Sequence, residues 1–418
     1  MSRRRPSALC QARILFSFLL PAMSLSTLPL SYCTNVHPGL TFDDVVLSIR
    51  EHTVAARQKL GFRIAAGLWL ASPVVNELIA APEKICQLRE VLNEGDLVCY
   101  TLNTFPFGNF HSERVKENVY LPDWTSSERL EYTKASARIL SELMPVGVEG
   151  SLSTVPLGFK GFSHEADFEQ RCIDQLLTLA EALDQLHDET GQILRLAVEP
   201  EPCCILETVE ETVLFFDRLF ATAESRGQLD IARRHLGVCY DVCHQAVEFE
   251  EIASSIQRLS DAGIRINKMH LTTALHVDEP GQNQQGCDEL SRFVEPRYLH
   301  QTFARSADGT VVFQEDLTEA LCHSPEGAFR DASAWRVHFH VPVDAEQLGV
   351  LKTTRDELKQ GIRAVAELDY APHLEVETYT WGVLPAEKPA TLADGIAREL
   401  SATSALITAE RERLASKG

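Results

Sequence analysis

Acidic residues and a histidine stand at the ends of four successive apolar runs in the second half of the sequence: Glu199, Asp241, His270 and Glu377. Three carboxylates placed together without a cation would repel one another and raise one another's pKa. Oxygen ligands with one imidazole suit Mn²⁺, Mg²⁺, Co²⁺ or Zn²⁺. The sequence therefore predicts that these four side chains hold one divalent metal ion.

Each of these residues also has a purely structural interpretation. Glu199 could form a salt bridge with an arginine, Asp241 could cap the next helix, and His270 could be a hydrogen-bonded core residue. The metal-site interpretation depends on the joint pattern over four consecutive strands. Glu375 and Glu377 share one face of the last strand by alternation. We choose Glu377 as the ligand because it lies nearer the strand end.

Further polar residues are candidates for contact with a substrate. Asn103 lies among aromatic and amide residues after the third strand, and such a cleft suits a polyol or a sugar-like ligand. His338 and His340 share a strand face by alternation. These two histidines could be metal ligands, substrate contacts or part of a polar strand face, and we take His340 as a substrate contact.

A regular alternation of strand-like and helical segments positions these residues. The strand-like runs cover residues 31–36, 67–71, 97–103, 148–154, 193–199, 236–241, 266–271 and 373–379. Strands that alternate with helices are joined by crossovers and therefore run parallel. Eight such units predict an α/β fold, a closed (β/α)₈ TIM barrel, whose active sites lie at the C-terminal strand ends. An open doubly wound sheet is the alternative, but the glycine-rich phosphate loop typical of that fold is missing after the first strand.

Capping signals indicate where several helices begin and end. The segment Thr125–Glu128 predicts a capping box and a helix that continues to about Leu143. The segment Thr208–Glu211 predicts a second capping box. Gly191 follows an amphipathic helical pattern and predicts its C-terminal end.

The barrel is expected to span residues 31–385 and to contain one long insertion between the seventh and eighth strands. The insertion covers residues 278–334 and includes a hairpin signal at Asp308-Gly309. We expect it to form a lid beside the site. Residues 386–418 form a tail with a helical pattern.

Residues 1–30 form an N-terminal extension with three arginines followed by an apolar run. The extension could result from a wrongly assigned start, with Met23 as the true first residue, or it could be a signal-like segment. The uninterrupted apolar length is shorter than the roughly 18 residues that a membrane span needs.

The charge and the cysteine content of the chain limit the kinds of partner and the cellular location that we expect. The chain of 418 residues contains 39 Lys and Arg against 60 Asp and Glu, which gives a formal charge of −21. Nucleic acids and anionic membranes both attract positive surfaces, so we expect neither as a partner, and we expect no insertion into a membrane. The 11 cysteines show no disulfide framework. Free buried thiols indicate a reducing, cytoplasmic location, with export through residues 1–30 as the alternative.

The ordered residues on strands five to eight carry a family resemblance. Glu199-Pro200, Asp241-x-x-His244, His270 and Glu377 resemble the pattern of the xylose-isomerase-like TIM-barrel superfamily. That superfamily includes sugar isomerases and epimerases and the branch of AP endonuclease family 2. Two further segments are similar to the metabolite-traffic family EboE: Tyr-Cys-Thr-Asn-Val-His-Pro-Gly at 32–39 and Val-Glu-Thr-Tyr-Thr-Trp at 376–381.

The resemblance implies roles for individual residues. It implies the same four metal ligands, with Glu199 and Glu377 also shuttling protons as catalytic groups. It makes His244 a substrate-contacting or secondary-metal histidine, and Glu207 an acid near the substrate. The similarity to EboE implies a prenyltransferase-like membrane protein as a functional partner.

These observations favour a metal-dependent isomerase or epimerase that acts on a small polyhydroxy or carbonyl metabolite. Two alternatives stay open: a metal-dependent hydrolase on the same site, and a non-catalytic protein that binds a metabolite or assists its transport. The endonuclease branch fits less well, because Leu70-Ala71-Ser72 stand where that branch has a histidine and because the chain is strongly acidic.

Overall fold

The computed structural model describes residues 25–385 and 391–416. Most of the predicted N-terminal extension and the first part of the predicted tail lie outside the described residues. Within the described part of the chain, no helix is long and apolar enough to cross a membrane.

Short buried strands form the centre of the molecule. The strands, in chain order, are β1 Ser31–Cys33, β2 Ile64–Trp69, β3 Leu97–Val98, β4 Thr101–Asn103, β5 Gly150–Thr154, β6 Leu194–Val198, β7 Leu236–Asp241, β8 Ile266–Leu271, β9 Leu275–Asp278, β10 Thr302–Arg305, β11 Val311–Gln314, β12 Ala334–Val337, β13 Gln347–Leu348, β14 Leu351–Thr353 and β15 His373–Val376.

Nine of these segments form one parallel sheet in the order β1-β15-β8-β7-β6-β5-β4-β2-β3, and β1 also pairs with β2. That last pairing closes the sheet. Because β3 and β4 together make the third strand, the closed sheet has eight strands with helices between them. The predicted (β/α)₈ barrel is confirmed. The second predicted strand is displaced, since β2 starts at Ile64 rather than at residue 67.

Helices fill the crossovers around the barrel, and three short helices lie in the insertion between β8 and β15. They are α1 Phe42–Ser48, α2 Ala55–Lys59, α3 Ser72–Ala80, α4 Glu83–Glu94, α5 Ser127–Leu143, α6 Phe168–Thr190, α7 Val209–Ser225, α8 Leu229–His235, α9 Val242–Val247, α10 Ile252–Asp261, α11 Gln284–Ser291, α12 Glu319–His323, α13 Gly327–Arg330, α14 Arg355–Val365 and α15 Leu392–Ala415.

The helix-end predictions have mixed outcomes. Thr208 and Glu211 form the expected reciprocal capping box at the start of α7. Gly191 ends α6 in the left-handed region, with φ of 73°. The capping box predicted at Thr125 is wrong, because the Thr125 hydroxyl donates to Asp123 instead. Ser126 is the N-cap of α5 and accepts from the backbone N–H of Glu128.

The chain between β8 and β15 builds a second, antiparallel sheet in the order β11-β10-β12-β9-β14-β13. This sheet begins before residue 278 and ends after residue 334. The hairpin at Asp308-Gly309 joins β10 to β11, and Gly309 has a φ of 90°. Helix α11 begins at Gln284, between β9 and β10. Several residues of the sheet and its helices form a separate apolar core.

Candidate metal centre

The four predicted ligands converge at the C-terminal end of the barrel. Asp241 is the last residue of β7 and lies beside His270 of β8 in the strand register. Glu199 follows β6 directly, and Glu377 follows β15. One ligand atom from each of the four lies within 4.8 Å of the others. All four side chains are buried.

The His270 ring occupies the middle of this cluster. Its Nδ1 atom lies 2.9 Å from Glu199 Oε1, 3.4 Å from Asp241 Oδ2 and 3.1 Å from Glu377 Oε2. One ring nitrogen therefore contacts all three carboxylates. In this arrangement, four potential ligand atoms from four successive strands surround a single point.

Hydrogen bonds orient the carboxylates toward that point. Glu377 Oε1 accepts from the amides of Asn35 and Asn103, each at 2.7 Å. Asp241 Oδ1 accepts from the hydroxyl of Thr272 at 2.6 Å. It also accepts from the backbone N–H of His244 at 3.1 Å and so caps α9. Each of these two carboxylates uses one oxygen for support and turns the other toward His270.

The remaining oxygens show that the cluster fits a cation. Glu199 Oε2 and Asp241 Oδ2 are buried and have no hydrogen-bond partner in the described part of the chain. Buried polar atoms in native proteins are almost always partnered. Three carboxylates and one imidazole match the donor set that divalent metal ions take. These residues fit a divalent metal ion, and Glu199, Asp241, His270 and Glu377 are the residues that would hold it.

The directions of the pKa shifts of Glu199 and His270 agree with a cluster that attracts a positive charge. Burial raises the pKa of Glu199 to about 7, although His270 opposes the shift. Burial lowers the pKa of His270, but negative neighbours, including Glu199 and Glu377, outweigh burial and raise it well above its usual value. Without a metal ion, a proton on His270 supplies the positive charge that the carboxylates attract.

A group of histidines lies next to the four-residue cluster. His244 Nε2 is 3.3 Å from His340 Nε2, and His340 Nδ1 is 2.9 Å from the backbone oxygen of Glu377. His338 Nδ1 lies 2.6 Å from the amide oxygen of Gln301. Asp241 Oδ2 lies 4.0 Å from His340 Nε2. His244 and His340 therefore border the predicted metal ligands directly.

A cavity opens above these residues. Its floor is polar, with Asn103, Glu199, His244, His340 and Glu377. Its walls are mainly apolar and aromatic: Phe105, Phe110, Val115, Val119, Tyr120, Tyr298, Leu299 and Tyr379.

A basic side chain joins two parts of the cavity wall. Lys116 is 4% exposed, and its Nζ donates to the backbone oxygens of Glu295 at 3.0 Å and Tyr298 at 2.5 Å. It also donates to Asp316 at 2.7 Å. These bonds connect the loop after β4 to the insertion. Lys116 is the one lysine or arginine among the described residues that line the cavity, and its charge is paired with that of Asp316.

Three polar residues lie outside the four-residue cluster, among them Glu207, which the resemblance placed near the substrate. Glu207 forms an ion pair with Lys160 and is not among the residues that line the cavity. His37 stacks on His52 at 4.6 Å, away from the cluster. His111 reaches the site indirectly, through a 2.8 Å contact with the backbone oxygen of Asn35.

Sequence analysis did not predict three other residues near the site. Glu201 is buried and accepts from the Tyr120 hydroxyl at 2.7 Å. Gln301 donates to the Tyr120 hydroxyl at 3.0 Å. The acidic repeat Glu199-Pro200-Glu201 was a usable signal for Glu201. Tyr120 and Gln301 lie in segments far apart in the chain and offered none.

Comparison with known proteins supports the architecture. No family model matches the sequence, and no curated protein matches it. The fold is similar to that of an L-ribulose 3-epimerase, with 10% identity, 93% of this chain and 97% of that chain covered, and a TM-score of 0.50. It is also similar to a xylose isomerase-like TIM barrel protein from Mycobacterium smegmatis in complex with magnesium. There the identity is 11%, the coverage is 91% of this chain and 98% of that chain, and the TM-score is 0.51.

At such low identity these similarities concern the fold alone. The chain has the (β/α)₈ fold of xylose isomerase-like barrels. Its own residues add a cluster of buried carboxylates and histidines that could hold a metal ion. Together they define a (β/α)₈ barrel with a candidate metal centre at the C-terminal ends of its strands, where the active sites of such barrels lie.

Proposed function

We propose that the protein is a divalent-metal-dependent isomerase or epimerase that acts on a small polyhydroxy or carbonyl metabolite. The observation that carries the proposal is the convergence of Glu199, Asp241, His270 and Glu377 within 4.8 Å, beside a cavity that Glu199 and Glu377 line. A bound divalent ion would polarise the carbonyl and hydroxyl oxygens of a substrate.

The side chains of the cluster and its neighbours would carry out the proton transfers and hold the carboxylates in position. Glu199 and Glu377 come from strands on different sides of His270, and both have an oxygen at the cluster. One carboxylate would remove the proton from the carbon next to the carbonyl, and the other would return a proton to the resulting enediolate. Asn35 and Asn103 hold Glu377 in place through its other oxygen.

The cavity supports a small ligand with hydroxyl groups. Its floor offers His244 and His340 as hydrogen-bonding groups, while the aromatic walls exclude water from the reacting atoms. Tyr298 and Leu299 of the insertion contribute to these walls. This supports the insertion as a cover of the site. Glu207 contributes only if it leaves its ion pair with Lys160.

An EboE-like role in metabolite traffic is the finer part of the proposal. It rests on the two sequence segments at 32–39 and 376–381. In the structure, Tyr32, Thr378 and Trp381 of these segments all donate to the carboxylate of Glu399 in the C-terminal helix. The proposed partner is a prenyltransferase-like membrane protein. Co-purification of the two proteins would test that partnership.

Proton exchange tests the reaction class. The protein, loaded with Mn²⁺ or Co²⁺, is incubated in D₂O with a panel of small ketoses, including L-ribulose. After the metal is removed, proton NMR follows the signal of the hydrogen next to the carbonyl. We expect metal-dependent loss of that signal for at least one sugar. Glu199→Gln should abolish the loss, and Asp184→Asn on the outer surface serves as the matched control.

Other outcomes point to the alternatives. A sugar that binds but exchanges no proton would support a non-catalytic binding protein. Cleavage of an added ester or amide that depends on metal and on Glu199 would support a hydrolase. Either result would contradict the proposed isomerase.

A further inference from the structure

Glu375 lies beside the cluster but is not one of its four proposed ligands. In the register of the barrel, Glu375 pairs with His270, and His270 pairs with Asp241 on its other side. Neighbouring residues in register project to the same side of a sheet. The Glu375 side chain therefore enters the barrel at the level of His270, and Glu377 enters higher up, at the strand end.

The barrel holds the Glu375 carboxylate from several directions. Lys268 Nζ lies 2.6 Å from Glu375 Oε1, and the Ser31 hydroxyl donates to Oε2 at 2.6 Å. Glu375 and Lys268 are both 0% exposed. A Cβ atom built on Gly67 would stand 1.5 Å from Glu375 Oε2. Glycine is therefore required at position 67 to leave room for this carboxylate.

Lys268 is the counter-ion of Glu375. Its ammonium nitrogen lies 2.6 Å from Glu375 Oε1, and both side chains are fully buried. A buried carboxylate with its own counter-ion has no charge left to neutralise a metal ion. This separates Glu375 from the three carboxylates above it, which have no lysine or arginine partner in the described structure.

The two nitrogens of the His270 ring face different surroundings. Nδ1 faces Glu199, Asp241 and Glu377, as described above. Nε2 lies 3.3 Å from Glu375 Oε1, and no hydrogen bond of ordinary geometry reaches Nε2 from the described residues. A metal ion held by the three carboxylates would bind Nδ1 through its lone pair, so the ring proton would lie on Nε2, the nitrogen on the side of Glu375.

We propose that Glu375, held by Lys268, is a positioning residue that fixes the His270 ring and its tautomer for metal binding through Nδ1. The proposal deepens the function proposed above, because it assumes that His270 is a ligand. It assigns a role to Glu375, the acidic residue of the last strand that we did not choose as a metal ligand. It also explains why a fully buried ion pair lies directly below the cluster.

Binding of Co²⁺ alone tests the role of Glu375. Calorimetry gives the affinity, and visible absorption of the bound Co²⁺ reports on the ligand arrangement. Glu375→Gln keeps the size of the side chain but removes the charge that attracts the Nε2 proton. We expect roughly 10- to 100-fold weaker Co²⁺ binding, the range typical of residues that orient metal ligands. We also expect a changed Co²⁺ spectrum.

Two further variants separate positioning from folding. Glu410→Gln changes another buried glutamate, on α15 away from the cluster, and should bind Co²⁺ like the wild type. The double variant Glu375→Gln/Lys268→Met removes both charges, so no unpaired charge is left inside the barrel. We expect it to fold, as shown by its thermal unfolding, and still to bind Co²⁺ weakly.

The outcomes also separate this proposal from the proposed metal site itself. If the wild type binds no Co²⁺, the metal site is wrong and this role falls with it. If the wild type binds Co²⁺ and a folded double variant binds it equally well with the same spectrum, the metal site stands and the role of Glu375 is overturned.

Discussion

The interior of the barrel and the core of the second sheet are both buried, but they contain different side chains. The barrel interior holds an ion pair, Lys268 with Glu375, and above it the carboxylates of the cluster. The core of the second sheet is built from apolar residues such as Leu290, Phe293 and Trp335. Buried charge is expensive unless it is paired or bound to a metal. This contrast indicates that the buried charged residues at the barrel end serve function rather than packing.

The two regions meet at the cavity. β12 belongs to the second sheet, and the chain leaves it directly into His338 and His340. The segment that forms the second sheet therefore leads into side chains of the site and also contributes a wall of the cavity. This division of roles gives predictions in which the barrel and the insertion respond differently.

The largest effect is expected from Asp241→Asn in the barrel. Asparagine caps helices about as well as aspartate, so α9 should remain capped. A neutral amide is a weaker metal ligand than a carboxylate. We expect metal affinity to fall by roughly 100-fold or more, because about 100-fold is the largest loss typical of residues that only orient metal ligands. Calorimetry with Mn²⁺ measures it, and Asp184→Asn should bind like the wild type. Equal affinity of Asp241→Asn would remove Asp241 from the site.

The second effect concerns the core of the insertion. Trp335 is 0% exposed and packs against Phe329, with ring centroids 5.7 Å apart. Trp335→Ala should lower the free energy of unfolding by about 3–5 kcal/mol, because it leaves a large cavity. Urea denaturation measures this loss. Mn²⁺ affinity should stay at the wild-type value, since none of the four ligands lies in the insertion. A parallel loss of Mn²⁺ binding would show that the two regions are not separate.

The third effect concerns the connection between the two regions. Lys116→Met removes the ammonium group that binds Glu295, Tyr298 and Asp316. Loss of buried hydrogen bonds to a charged group should cost about 1–3 kcal/mol. We expect faster hydrogen exchange in residues 116–120 and unchanged Mn²⁺ affinity. Lys134→Met on α5 is the matched control. Unaltered exchange in Lys116→Met would contradict the connecting role.

The smallest effect is a dependence of stability on pH. Burial raises the pKa of Glu399 to about 7, above the value of about 4.3 for an unfolded glutamate. The stabilising effect of protonated Glu399 is fully present below the unfolded pKa and is lost as pH rises through about 7. Relative to Glu399→Gln, the protein should therefore lose up to about 1.4 kcal/mol per pH unit between about pH 4.3 and pH 7, and the loss should level off above that pH. Unfolding at pH 6 and pH 8 measures the difference, and identical pH dependence in both proteins would refute it.

Structure could be predicted from the sequence where a pattern repeats along the chain, but not where it depends on contacts between distant segments. Alternation of strands and helices predicted the barrel, and its known polarity predicted that Glu199 and Asp241 would meet. The second sheet was not predicted, because β9, β12 and β14 pair across long stretches of chain. Glu375 was recognised as facing the same side as Glu377, but its bond to Lys268 depends on the register between strands.

Elemental analysis of the purified wild-type protein is the most direct test of the central claim. The protein is incubated with Mn²⁺, Co²⁺ or Zn²⁺, passed through a desalting column and measured by inductively coupled plasma mass spectrometry. We predict about one equivalent of retained metal, held by the four residues at the barrel end. Retention of none of the three metals would contradict the proposed metal centre and the metal-dependent function built on it.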